Sequence, residues 1–270
     1  MVVTSRKNPA VLTYRQLCRD KRARDESGEF CAEGMRLCLE ALDSGAPITS
    51  ALISESARKK YPDAAAKISE ACAVTVISDD IAEYISDTKT PQGFFMTVKR
   101  LDKSFDLRKI VNGKYILLDG LQDSGNVGTI IRTCEALGVS GVILSPDCAD
   151  IYSPKTVRSA MGSLFRLPVY RCELTETISA MRNAGVKVYA AVLNDSAEKA
   201  GEADLTGSCA AVIGNEGSGV SGAVIKLCTG GIYIPIERAE SLNASVAAAI
   251  ICWEMTGRGQ YASVPEIERS

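Results

Sequence analysis

Histidine is missing from all 270 residues. Its absence removes Ser-His-Asp and Cys-His nucleophilic catalysis, together with histidine-ligated zinc and iron. The ten cysteines do not compensate, because no two stand in C-x-x-C spacing. Cys38, Cys134 and Cys252 instead lie in apolar periodic segments, where a free thiol behaves as a small hydrophobe. They read as reduced and buried in a cytoplasmic chain, with no metal expected. Of the common nucleotide signatures, G-x-x-x-x-G-K-S/T is lacking, and the one G-x-G-x-x-G is Gly217-Ser-Gly-Val-Ser-Gly222, within a glycine-rich loop after an apolar strand. That speaks against an ATPase site of ordinary type. No apolar run is long enough to span a bilayer, and Met1–Lys7 has no signal-peptide core, so no membrane association is expected.

What remains is a composition of 46% hydrophobic and 24% charged residues, that of a globular protein with room for two domains. The net charge of −2 gives no global basic field. Locally, however, Arg6, Lys7, Arg15, Arg19, Lys21, Arg22 and Arg24 crowd the first two dozen residues, opposed there only by Asp20. This is either a phosphate-attracting arm or a solvated helix face, and charge alone does not separate the two.

Periodicity predicts a helix over 8–25 and a second over Glu29–Leu42, with Met35, Cys38, Leu39 and Leu42 on one face. Strands follow at Pro47–Ile53, Val74–Ile77 and Phe94–Val98, with helices at Tyr61–Cys72 and Asp79–Ile85. Residues 1–100 thus read as a small α/β domain, and the charged, weakly periodic stretch 101–113 as a linker. Over 114–270 strand and helix alternate with short connections, the pattern of a parallel, doubly wound sheet. Strands are expected at Tyr115–Leu118, Gly141–Leu144, Leu167–Tyr170, Val186–Val192, Cys209–Ile213 and Gly231–Pro235. Helices are expected near 126–137, 154–163, 175–184, 221–228 and 243–257.

In such a sheet the loops after the strands' carboxyl ends gather on one edge, where ligands bind. Three are unusual here. The first, Gly120–Gly125, leads into a helix with Asn126 as the expected N-cap and with Gly128 and Arg132 sharing a face. The second, Gly214–Gly219, carries three glycines, the amide of Asn215 and the carboxylate of Glu216. In the third, after Pro235, Ser241, Asn243 and Ser245 crowd a helix start. Each alone is commonly a turn plus a cap. All three on one edge are harder to explain that way.

Asn126-x-Gly128-x-x-x-Arg132, Gly214-Asn-Glu-Gly-x-Gly219 and Ser241-Leu-Asn-x-Ser-Val-Ala247 resemble the three ordered motifs of the SpoU-type RNA 2′-O-ribose methyltransferases, the TrmH branch of the SPOUT class. Phe30-x-x-Glu33-Gly34 and Ser86–Gly93 are similar to stretches of that family's small substrate-binding domain. The resemblance implies an α/β fold. Its C-terminal parallel-sheet methyltransferase domain would carry a deep trefoil knot and be preceded by the RNA-substrate-binding domain. It implies S-adenosylmethionine as cofactor, RNA as partner (ribosomal more than transfer RNA) and a homodimer through the C-terminal domain, where Ala247–Ala249 would suit close packing. The alternative within the fold is a non-catalytic RNA-binding protein.

By residue, the resemblance gives catalytic roles to Arg132, Asn126, Glu216, Ser241 and Asn243. It puts the cofactor against Gly214, Ile234 and Leu242, with Asn215, Gly217 and Ile236 beside them. Arg158 joins Arg19 and Arg22 as an expected RNA contact. The chain departs from the family at Arg158-Ser-Ala-Met-Gly162, where the serine comes one place early, and at the charged pair Glu237-Arg238. The family's arginine is assigned as base, yet guanidinium stays protonated in proteins. A donor that stabilises the emerging alkoxide and anchors a phosphate fits Arg132 as well.

Overall fold

A computed structural model of the chain describes residues 2–103, 112–194, 196–238 and 241–260. The greater part of the expected linker, 104–111, lies outside the described residues. The chain divides into two compact units, Met1–Leu101 with Asp150–Arg166, and Asp102–Ala149 with Leu167–Ser270. Among the described residues no helix is long and apolar enough to cross a membrane.

The first unit is built on a four-stranded sheet in the order β1-β4-β2-β3, of β1 (Glu29–Glu33), β2 (Ile48–Ser54), β3 (Val74–Ile77) and β4 (Phe94–Lys99). β4 runs antiparallel to both its neighbours, and β2 and β3 are parallel. One face is covered by Pro9–Arg19 and Asp79–Ile85, whose Val11, Tyr14, Leu17, Ile81 and Ile85 meet Leu52, Ile77 and Phe95 in a closed apolar cluster.

Here the sequence expectation fails at Glu29–Leu42. The segment is not one helix but strand β1, then Gly34 at φ 104°, then a helix over Met35–Asp43. The apolar face at Met35–Leu42 is real. The five residues before it pair instead with β4, some 65 positions away. The expected 8–25 helix is likewise two, Pro9–Arg19 and Lys21–Ser27. Extended Asp20 separates them, its carboxylate accepting from the N–H of Arg22 at 2.8 Å.

Asp150–Arg166, read from the sequence as part of the second domain, clusters with the first unit. Tyr152 stacks on Phe30, ring centroids 4.7 Å apart, and its hydroxyl accepts from the N–H of Leu101 at 2.8 Å. Asp150 pairs with buried Arg24 at 2.7 Å. Periodicity sees the helices but not which core covers them. The expected 154–163 helix is broken at Met161, φ 53°, into Pro154–Ala160 and Ser163–Arg166.

The second unit holds a seven-stranded sheet in the order β7-β6-β5-β10-β8-β11-β9. Its strands are β5 (Lys114–Asp119), β6 (Gly141–Leu144), β7 (Val169–Arg171), β8 (Lys187–Ala191), β9 (Glu198–Lys199), β10 (Cys209–Gly214) and β11 (Gly230–Tyr233), all pairing in parallel. Only β9, two residues long, has no counterpart in the sequence reading. Leu174–Asn183 and Gly222–Leu227 contribute Leu174, Ile178, Met181 and Val224 to a core with Leu117, Val188 and Val212. Ser124–Ala136 packs against Ala244–Gln260, which also touches β5 and β10. From β5 the chain moves outward through β6 and β7, whereas β10 lies on its other side. This reversal opens a crevice at the strands' carboxyl ends.

The Arg24–Asp150 pair gives a direct test of the first unit. Its side chains are 6% and 15% exposed, and Arg24 also donates to the Leu17 carbonyl at 2.6 Å. Removing one member leaves a desolvated charge, so Arg24→Ala should cost about 3 kcal/mol in urea unfolding. In a double-mutant cycle with Asp150→Ala the double variant should recover part of that loss. Independent, additive effects would contradict the pairing.

Candidate active site at the carboxyl edge of the sheet

The helix after β5 starts earlier than its sequence suggests. Asp123, not Asn126, is its N-cap, accepting from the N–H of Asn126 at 2.9 Å. Asn126 is therefore the third residue of Ser124–Ala136, and its amide is free for tertiary use. Its Nδ2 donates to Glu216 Oε1 at 3.0 Å, and its Oδ1 accepts from Asn243 Nδ2 at 3.1 Å. Backbone N–H groups of Gln122 and Asp123 donate to the same carboxylate at 3.3 and 3.1 Å. Three of the five expected catalytic residues thus form one hydrogen-bonded chain joining all three loops.

The Gly214–Gly219 loop closes on itself. Asn215 and Gly219 exchange backbone hydrogen bonds at 3.0 and 2.9 Å. Asn215 Oδ1 accepts from Gly217 N at 2.9 Å, and its Nδ2 donates across to the Gly120 carbonyl at 2.7 Å. Gly214 is required by space, since a Cβ there would lie 2.1 Å from the backbone of Gly219 and Val220. Only Gly219 of the three uses positive φ, at 69°.

Beside this network lies an apolar cavity of about 150 Å³. Ile234, Ile236 and Leu242 line it, as does Ser241, together with Val192 and Leu193 beyond the end of β8. Gly214, Asn215 and Gly217 do not. The β8 wall was missed in the sequence, although its position at the carboxyl end of a strand was the available signal.

Arg132 stands apart from the chain of amides. Six residues beyond Asn126, it projects roughly 120° away around the helix. It is exposed and makes no hydrogen bond or ion pair among the described residues, whereas Gly128 is buried. In the first unit, Arg19 is exposed and Arg22 pairs with Glu26 at 2.7 Å. Arg158 pairs with Asp87 at 2.6 Å while its Nη1 is buried without a partner. The two stretches resembling a substrate-binding domain meet at Glu33. Its carboxylate accepts from Ser86 Oγ at 2.5 Å, Thr88 Oγ1 at 2.8 Å and Asp87 N at 2.9 Å. Among the described residues no acidic, cysteine or histidine cluster could hold a metal.

A family model described as the SpoU rRNA Methylase family matches residues 113–253, and one described as the MRM3-like substrate binding domain matches 8–96. The chain belongs to the SpoU rRNA methylase family. Its relatives include the 23S rRNA (guanosine(2553)-2′-O)-methyltransferase RlmP of Bacillus subtilis, 33% identical over 94% of this chain and 99% of that one. Among solved structures, an AdoMet-bound rRNA methyltransferase from Sinorhizobium meliloti is 32% identical with a TM-score of 0.84, covering 96% of this chain and 98% of that one. The SpoU methyltransferase AviRb from Streptomyces viridochromogenes, also solved with AdoMet, is 28% identical with a TM-score of 0.82, covering 93% and 98%. The parallel sheet expected for the family is present, and a substrate-binding domain precedes it.

In this SpoU family member partial burial raises the Glu216 carboxyl, but the donors from Asn126, Asp123 and Gln122 outweigh it and hold the group below its ordinary 4.5. A depressed carboxyl contributes stability that is present above its unfolded value and lost as pH falls through the folded one. Followed by NMR at its carboxyl carbon, Glu216 should therefore titrate below 4.5, and its midpoint should rise in Asn126→Ala. A parent midpoint at or above the ordinary value would contradict the network.

Proposed function

We propose that the chain is an S-adenosylmethionine-dependent RNA 2′-O-ribose methyltransferase acting on ribosomal RNA in the cytoplasm. The observation that carries this is the Asn126–Glu216–Asn243 chain, which binds three family motifs together at the sheet's carboxyl edge beside an apolar cavity. That cavity fits the cofactor by its chemistry. Ile234, Ile236 and Leu242 offer apolar walls for a purine, and Ser241 adds a hydroxyl at the rim. Gly214, Asn215 and Gly217 would act through the shape of their loop, because the Asn215 amide is already spent on Gly217 N and on the Gly120 carbonyl. The knot implied by the family resemblance is part of the same reading.

When bound, S-adenosylmethionine supplies a methyl group activated by a sulfonium. The protein's task is to hold the ribose hydroxyl in line and to accommodate charge on its oxygen as the proton leaves. Asn126, fixed by Glu216, and Asn243 would orient the ribose, with Ser241 joining them from the cavity rim. Arg132, exposed and uncompensated, is suited to a phosphate and to the developing alkoxide. Arg19, Arg22 and Arg158 would contact the RNA backbone from the first unit.

A homodimer through the Ala244–Gln260 helix completes the proposal. The alanines expected at its interface are largely otherwise engaged, with Ala248 fully buried and Ala247 lining the cavity. The exposed apolar stripe is instead Val246 and Trp253, 47% and 51% exposed and seven residues apart on one face. Light scattering at micromolar concentration should give twice the chain mass, and Trp253→Glu should halve it. A monomeric parent would refute this part.

Arg132 gives the test of the activity. With labelled cofactor and ribosomal RNA, Arg132→Ala should lower turnover by about 10²–10³ while cofactor affinity by calorimetry barely moves. Arg132→Lys keeps the charge but not the planar fork, and should recover RNA affinity more than turnover. Parent-level methylation by both variants would remove Arg132 from the mechanism. No cofactor binding by the parent, with or without RNA, would overturn the function.

A further inference from the structure

We infer that Arg6 and Arg15, gathered on the ring of Tyr84 in the first unit, form a binding site for the phosphodiester backbone of RNA; this rests on the proposed action on RNA. The guanidinium carbons lie 4.4 and 4.1 Å from the ring centroid. The two cations therefore lie no further apart than the sum of these distances, about one screening length at physiological salt. The ring's negative face offsets part of their repulsion. Neither arginine forms an ion pair among the described residues, and Asp80 and Glu83, which share a helix with Tyr84, pair with neither. Five other arginines of this unit are neutralised: Arg22 by Glu26, Arg24 by Asp150, Arg100 by Asp25, Arg158 by Asp87 and Arg166 by Glu40.

The position of Arg6 is built rather than accidental. Val3 is stitched to the edge of the sheet, its N–H donating to Val76 at 2.9 Å and its carbonyl accepting from Ser78 at 3.0 Å. Asn8 then turns the chain by donating to the Ser5 carbonyl at 3.1 Å, and it caps the Pro9–Arg19 helix through Ala10 N at 3.0 Å. Arg6 sits between these two anchors. Arg15 lies on the helix itself, with its Nε buried and unpartnered and no hydrogen bond from its guanidinium among the described residues. Exposed Arg19 follows one turn on along the same face, and exposed Lys7 adjoins Arg6, extending the track in both directions.

The geometry selects the ligand class. The ring's π surface is occupied by guanidiniums, so it is not a platform for stacked bases. Two forked cations, Arg6 exposed and Arg15 half-buried, match successive phosphates of a strand, a contact that positions RNA without reading its sequence. This pair is distinct from Arg22 and Arg158, whose charges are already compensated.

The test uses a fluorescein-labelled oligouridylate and fluorescence anisotropy across a salt series. If the site binds phosphates, Arg6→Glu/Arg15→Glu should weaken binding at least tenfold at about 50 mM salt, and the log–log salt slope should become shallower by about 1.4, two single-strand phosphate contacts. Arg6→Gln/Arg15→Gln should show the same slope change with a smaller loss, and it serves if the double reversal does not fold by circular dichroism. Tyr84→Leu keeps both charges, so its slope should stay at the parent value while affinity falls a few-fold. A folded double variant with parent affinity and parent slope overturns the site, as does a loss equal at all salt concentrations. A parent that binds the oligonucleotide through these arginines yet methylates no ribosomal RNA would sink the enzyme reading and leave the site standing.

Discussion

The Glu216 carboxylate sets the direction of every polar group around it. An ionised carboxylate only accepts, so the Asn126 amide must present its NH₂ to it and its oxygen away. That oxygen can then only accept, which turns the NH₂ of Asn243 towards it. The Asn243 oxygen is left facing its own helix start, where it accepts from Ser245 N at 2.9 Å and Ser245 Oγ at 2.6 Å. One charge thus orients two amides and caps a 17-residue helix. A chain polarised this way is stronger than its links taken singly, and costly to leave half-made.

The backbone makes this possible. β5 and β10 are neighbours in register, Leu118 opposite Ile213 and Asp119 opposite Gly214, so the loops leaving them begin side by side. Asn215 donates to the Gly120 carbonyl and Asp119 accepts from Ser221 N at 2.7 Å, tying each loop to the root of the other. Gly214 allows the second loop to fold back on its own strand, which a side chain at that point would forbid. Packing of Ala244–Gln260 against Ser124–Ala136 then brings the third loop in.

What was legible in the sequence follows from these same forces. Strands β5, β6 and β10 are buried on both faces, so their apolar runs are continuous and their positions plain. The three loops announced themselves by glycine, asparagine and serine next to strand ends. The N-cap did not, because Asp123, Ser124 and Asn126 are all capping types and only hydrogen bonding decides among them. The strand Glu29–Glu33 was hidden because its pairing is non-local and the helix after it supplied a misleading period. Tyr84 as a collecting point for two distant arginines left no pattern at all, since it depends on the single bridge that holds Val3 to the sheet's edge.

The chemistry of the proposed reaction is constrained by what the site cannot do. With no histidine in the chain, the nearest carboxylate would be the obvious base. Yet the hydrogen bonds that make Glu216 an organiser also lower its proton affinity, and a carboxylate held below its ordinary value is a poor acceptor at neutral pH. Guanidinium cannot take the proton either. The proton from a ribose hydroxyl would then pass to solvent or to a phosphate of the RNA itself, leaving the protein to contribute position and fixed charge. An enzyme of this kind needs its polar groups locked before substrate arrives. A carboxylate spent on orienting amides meets that need better than one kept free to titrate.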